Sequence, residues 1–82
     1  MQISKKDKIL VVYGKKGYHK LLARRGYNVV PVDKFDVLED LSLLDGYIDG
    51  INYAVVEGDG MGIKRYLRKK GVKTYPLKVF FD

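Results

Sequence analysis

Val55-Val56-Glu57-Gly58-Asp59-Gly60-Met61-Gly62 joins a short apolar run to a glycine-dense turn, and a basic helical pattern starts directly after it. Apolar run, glycine turn and helix make up the unit from which parallel α/β sheets are built. The same unit sets backbone N–H groups at a helix start, where anions are readily held. The remaining elements can be read outward from this stretch.

Upstream, Ile9-Leu10-Val11-Val12-Tyr13 is a continuous, β-branched apolar run ending at Gly14, the pattern of a strand buried on both faces. Gly14-Lys15-Lys16-Gly17 is its turn. Tyr18, Leu21 and Leu22 then follow the i, i+3, i+4 spacing of a short amphipathic helix, with Arg24 and Arg25 in its last turn and Gly26 as its stop. Tyr27 to Val32 reads as a second strand, ended by Asp33. Val37, Leu38, Leu41 and Leu44 predict a second helix over 35–44, capped by Asp33 or Asp36. Residues 45–52 read as an ordered loop and Tyr53 to Glu57 as a third strand. Ile63, Tyr66 and Leu67 mark a third helix with cations on its outer side, stopped by Gly71, and Val72 to Phe81 is expected to supply a final strand.

The alternation predicts an α/β fold: a three-layer α/β/α domain over residues 1–82, with 1–8 a frayed lead-in. Pro31 falls in the second strand and Pro76 in the fourth, while the first and third have none. Proline is tolerated at sheet edges and not in central strands. With right-handed crossovers this selects a four-stranded, mainly parallel sheet of order 2-1-3-4, a truncated flavodoxin-like or Rossmann-like arrangement. A repeat at an offset of 45 residues supports it: Gly17, Lys20, Leu22, Arg24, Arg25, Gly26 and Pro31 match Gly62, Arg65, Leu67, Lys69, Lys70, Gly71 and Pro76.

Composition bounds the function. Eighty-two residues allow one modest core, and no apolar run approaches the roughly 20 residues that span a membrane. The chain has no cysteine, which excludes disulfides, thiolate metal sites and cysteine nucleophiles, and its single histidine, His19, excludes an all-histidine metal site. A cytoplasmic protein without a cofactor is expected. Two asparagines and one glutamine against sixteen lysines and arginines resemble a hyperthermophile's composition. The net charge of +6 divides unevenly: residues 1–32 carry +7, 33–59 carry −7 and 60–82 carry +6. Acidic and basic elements packed side by side, within one molecule or between copies, fit that division.

In the 2-1-3-4 order the first and third strands are neighbours whose connections leave in opposite directions, and a crevice opens beyond their C-terminal ends. The candidate ligand-binding residues are Gly14, Lys15, Lys16 and Gly17 from one loop, Gly58, Asp59, Gly60 and Gly62 from the other, and Asp33, placed where a ribose hydroxyl is often met. Neither loop completes a nucleotide fingerprint, and the Asp59 carboxylate would repel a phosphate. The competing reading is tight-turn glycines flanked by solvated lysines. Asp33, Glu57 and Asp59 could form a carboxylate or magnesium group, although strand alternation can point Glu57 elsewhere. Ser4, Ser42 and Thr74 are not beside His19, which reads as a solvated helical residue. No catalytic residue is assigned, and an enzyme of known type is not expected.

The leading expectation is thus a non-catalytic module binding a small anionic or phosphorylated ligand. Two alternatives stand behind it. One is a homodimer, paired through the apolar edge 74–81 or by setting the acidic second helix against the basic third helix of another copy. The other is a nucleic-acid binder using Arg24-Arg25 and the cluster from Lys64 to Lys73, with stacking from seven tyrosines. Against the latter, the first and third helices are expected on opposite faces of the sheet, and the tyrosines at core or half-buried positions.

Gly58 to Tyr75, a glycine-rich turn, basic helix, glycine and then Val72-Lys73-Thr74-Tyr75, resembles the last β-α-β segment of the dinitrogenase iron–molybdenum cofactor-binding family. The resemblance covers about the last quarter of the chain. That family begins with a hairpin, whereas this chain begins β-α-β and lacks the cysteine a cluster would use. The likeness is one of local structure, and no functional residue carries over.

Overall fold

The computed structural model describes residues 3–58 and 62–81. Strand β1 (Lys8–Tyr13) leads through helix α1 (Tyr18–Arg24) to β2 (Asn28–Asp33). Helix α2 (Lys34–Val37) and a 3-10 helix (Leu41–Gly46) then precede β3 (Tyr53–Val56). Helix α3 (Ile63–Lys69) connects to a two-residue β4 (Lys73–Thr74), and a C-terminal 3-10 helix spans Leu77–Phe81. All pairings are parallel and the sheet order is β2-β1-β3-β4. The order is the one the prolines selected, with Pro31 inside edge strand β2 and Pro76 two residues beyond the end of edge strand β4. Pro31 lies opposite Val11 with its outer side unpaired, where the missing N–H costs no ladder bond.

Strand alternation sorts the core into two layers. On one face Leu10 and Val12 of β1, with Ala54 and Val56 of β3, pack against Val37, Leu44, Ile63 and Leu67. On the other, Ile9, Val11 and Val55 pack against Leu22 of α1 and Phe80. Helices α1 and α3 thus lie on opposite sides of the sheet. Six of the seven tyrosines are half-buried and Tyr47 alone is exposed.

Two expectations are corrected. The second helix, expected over 35–44, is broken by Asp40. Its backbone is extended (φ −147°, ψ 96°), and its carboxylate accepts the Ser42 N–H at 3.1 Å, starting a separate 3-10 turn. A side-chain acceptor offers the backbone an alternative to continuing the helix. The fourth strand, expected to run to Phe81, stops at Thr74. The Tyr75 N–H still reaches Ala54 O at 2.9 Å, but Pro76 has no donor to extend the ladder, and the Val79 N–H closes a turn onto Pro76 O at 3.2 Å. With only α1 on that face, the apolar run 77–81 folds back to cover the remainder. Phe80 meets the Tyr27 ring edge-on at 5.5 Å, and the Tyr27 hydroxyl donates to Phe80 O at 3.2 Å. Residues 74–81 therefore do not form the strand edge on which a homodimer was expected. Before β1, which begins at Lys8, residues 3–7 belong to no helix or strand, and Ile3 packs half-buried on the α1 face.

Among the described residues, no helix is long and apolar enough to cross a membrane. The acidic and basic segments do pack side by side: Tyr66 Oη donates to Asp45 Oδ1 at 2.7 Å, and Lys70 Nζ lies 3.7 Å from Asp45 Oδ2.

Candidate functional site

A cavity of about 280 Å³ opens at the C-terminal ends of β1 and β3, lined by Gly14, Lys15, Lys16, Tyr18, Lys34, Phe35, Glu57 and Gly58. This is the switch-point crevice expected from the strand order. It gathers Gly14, Lys15 and Lys16 from the first loop and Gly58 from the second, as the sequence suggested. It also gathers residues that sequence reasoning left out: Lys34, Phe35, Tyr18 and Glu57.

Glu57 controls the floor of this crevice. Two residues beyond Val55, it faces the α1 side of the sheet and is only 6% exposed. The Lys16 N–H donates to its Oε2 at 2.8 Å and the Tyr18 N–H to its Oε1 at 3.2 Å. Its own N–H extends the ladder to Val12 O at 2.9 Å. Burial pushes the Glu57 carboxyl up, but the backbone N–H groups of Lys16, Gly14 and Tyr18 and the charge of Lys34 together hold it below the ordinary value. The donors at the start of α1, which an external anion was expected to use, are thus already turned onto a carboxylate of the chain itself.

Lys34 reaches across from the end of β2. Its ammonium donates to Glu57 O at 3.2 Å and sits where a Cβ on Gly58 would meet it at 3.2 Å. Lys15 and Lys16 are exposed and also line the cavity, and Phe35, next to Lys34 in the chain, is 60% exposed. The crevice is therefore lined by three lysines and an uncovered aromatic ring, together with a buried carboxylate whose charge is engaged by backbone N–H groups.

Other candidates lie elsewhere. Gly17 forms the N-cap of α1 with its backbone in the left-handed region, and it does not line the cavity among the described residues. Asp33 is the N-cap of α2, its Oδ1 accepting the Phe35 N–H at 3.0 Å, so its carboxylate is engaged in capping. Gly62 caps α3 and opens on a different groove, with Leu41, Arg65, Tyr66 and Lys69. Asp59 and Gly60 lie outside the described residues. Of the carboxylate group expected from Asp33, Glu57 and Asp59, Asp33 caps α2 and Glu57 accepts backbone N–H groups, while Asp59 lies outside the described residues; among those described, no group of three or more potential metal ligands occurs. His19 is stacked on Tyr13 with ring centroids 3.7 Å apart, not free in solvent as expected. The Ser42 hydroxyl donates to Asp40 and Thr74 Oγ1 accepts from Arg68 Nε, both away from the crevice.

Neither protein-family models, nor curated proteins, nor solved structures include a significant match to this chain. The local likeness of Gly58 to Tyr75 to the cofactor-binding family accordingly does not extend to a family match.

Proposed function

We propose that the chain is a non-catalytic α/β module that binds a small anionic ligand, such as a phosphorylated metabolite, in the crevice between the first and second glycine loops. The observation that carries the reading is the convergence of Lys15, Lys16 and Lys34 on one cavity at the switch point. Because Glu57 engages the backbone donors, the ligand's charge meets ammonium groups and not a backbone nest. Lysines bind phosphate as point charges and tolerate varied geometry. The exposed Phe35 ring favours a ligand that carries a flat apolar part beside its anionic group. A cysteine-free chain of this charge suits a cytoplasmic setting.

Titration of the isotope-labelled protein with inorganic phosphate, ribose 5-phosphate and a nucleoside monophosphate, followed by backbone amide shifts, tests this. Saturable shifts are expected at Lys15, Lys16, Lys34, Phe35 and Gly58, and their loss when the three lysines are changed to glutamine. Silence at these amides with all three probes overturns the reading. The nucleic-acid alternative has less support, because Arg24 and Arg25 end the helix on one face of the sheet while the α3 cations belong to the helix on the other.

A further inference from the structure

A second groove, of about 240 Å³, runs between α3 and the first 3-10 helix, lined by Leu41, Gly62, Arg65, Tyr66 and Lys69. Leu41 and Tyr66 supply an apolar wall, and Arg65 and Lys69 are exposed cations beside it. Immediately next to it stands a ridge of opposite character. The 3-10 helix turns Leu44 into the core and leaves Leu43 51% and Tyr47 44% exposed. Around these two side chains, residues 39–49 carry four acids (Glu39, Asp40, Asp45, Asp49) and no base, whereas residues 62–81 carry seven bases and no acid. One molecule uses little of this complementarity: among the described residues the sole ion pair is Lys70–Asp45.

We propose that two copies of the chain associate through this face, each seating its acidic, apolar ridge in the basic groove of the other. Ridge and groove lie side by side, so a two-fold axis between them makes both contacts at once, as an isologous interface requires. Leu43 and Tyr47 supply the apolar centre, and Glu39 and Asp49 opposite Arg65 and Lys69 supply orientation and partner choice. The occupant is a second copy, because the chain carries both halves of the complement.

Sedimentation velocity from micromolar to near-millimolar protein at low salt tests this. The expected result is a rise to twice the monomer mass that recedes as salt screens the charges. Two charge-swapped variants sharpen it: Arg65→Glu with Lys69→Glu, and Glu39→Lys with Asp49→Lys. All four positions are exposed, so folding is spared, and circular dichroism checks this. Each variant alone is expected to stay monomeric, because ridge and groove then carry like charge. Mixed together, they are expected to recover the doubled mass as a heterodimer. A wild-type chain that remains monomeric throughout overturns the proposal. So does a doubled mass that survives in either variant alone, which would assign pairing to another surface.

Discussion

A methyl group placed on Gly14 would stand 2.7 Å from Glu57 Oε2, closer than packed atoms allow. The close approach is the reason a glycine ends β1, since the Gly14 backbone itself is not in the left-handed region that demands one. Gly14→Ala therefore acts through the carboxylate alone: it pushes Glu57 off the Lys16 and Tyr18 N–H groups. Losing charge-assisted bonds at a buried group costs about 1–3 kcal/mol. Urea unfolding should show that loss in the wild-type background and a much smaller one in a Glu57→Ala background. Equal costs in both backgrounds would mean that the contact with Glu57 is not what Gly14 preserves.

The same carboxylate makes stability depend on acid. Its ordinary value is 4.5 and folding holds it lower, since the backbone N–H groups and Lys34 outweigh burial. A carboxyl lowered by folding contributes stability above its unfolded value and loses it as pH falls through the folded one. Glu57→Gln cannot lose a proton and keeps one acceptor oxygen. At neutral pH it should be less stable than wild type, and the gap should narrow below about pH 4.5 as wild type gains its proton. Urea midpoints followed down the acid range read this directly. A gap that stays constant with pH would show that the charge of Glu57 contributes nothing.

Glu57 also marks where sequence reading stopped. Strand order followed from two prolines, and the crevice followed from strand order, because both depend on rules local to the backbone. The carboxylate's role depends on a contact 41 residues distant along the chain, Lys16 to Glu57, which no periodicity encodes. A signal was present: Val55 and Glu57 share a side of their strand, and that side is the one α1 covers. The C-terminal run misled for the opposite reason. Leu77 to Phe81 has strand composition, but the sheet's thinly covered α1 face offered its apolar side chains more burial than an unpaired edge would.

The internal repeat gives a matched pair of tests. Gly26 (φ 90°) and Gly71 (φ 87°) follow α1 and α3 at the same offset, and each closes its helix alike. Their N–H groups reach Ala23 O and Arg68 O, each at 3.0 Å, while the next residues, Tyr27 and Val72, bond back to the fully buried Leu22 and Leu67. An added Cβ meets open space at Gly71 and only the Lys5 side chain, from 3.7 Å, at Gly26. Alanine at either position thus incurs the left-handed backbone cost with little else, about 1–2 kcal/mol. Thermal unfolding should show similar losses for both. A large loss at one and none at the other would mean that the two helix ends are not equivalent.

At alkaline pH the weak point is the pair formed by Tyr66 and Asp45. The hydrogen bond from the phenol to Asp45, then burial, then the charges of Asp45 and Asp40, hold the Tyr66 hydroxyl above its ordinary value of 10.0. A phenol raised by folding contributes stability below its unfolded value and loses it as pH rises through the folded one. Because the hydrogen bond to Asp45 is the leading cause, Asp45→Asn should return Tyr66 toward 10.0, while Asp40→Asn should move it less. Ring carbon shifts of Tyr66, followed through an alkaline titration, resolve it from the six other tyrosines. The Asp45→Asn variant should also lose the ion pair to Lys70, leaving α3 joined to the 3-10 helix at this point by packing and a weaker hydrogen bond to a neutral oxygen. Amide exchange in 41–46 should then quicken, with exchange in β1 unchanged. Tyr66 titrating at the same point in wild type and Asp45→Asn would rule out the Asp45 carboxylate as the group that raises the Tyr66 hydroxyl.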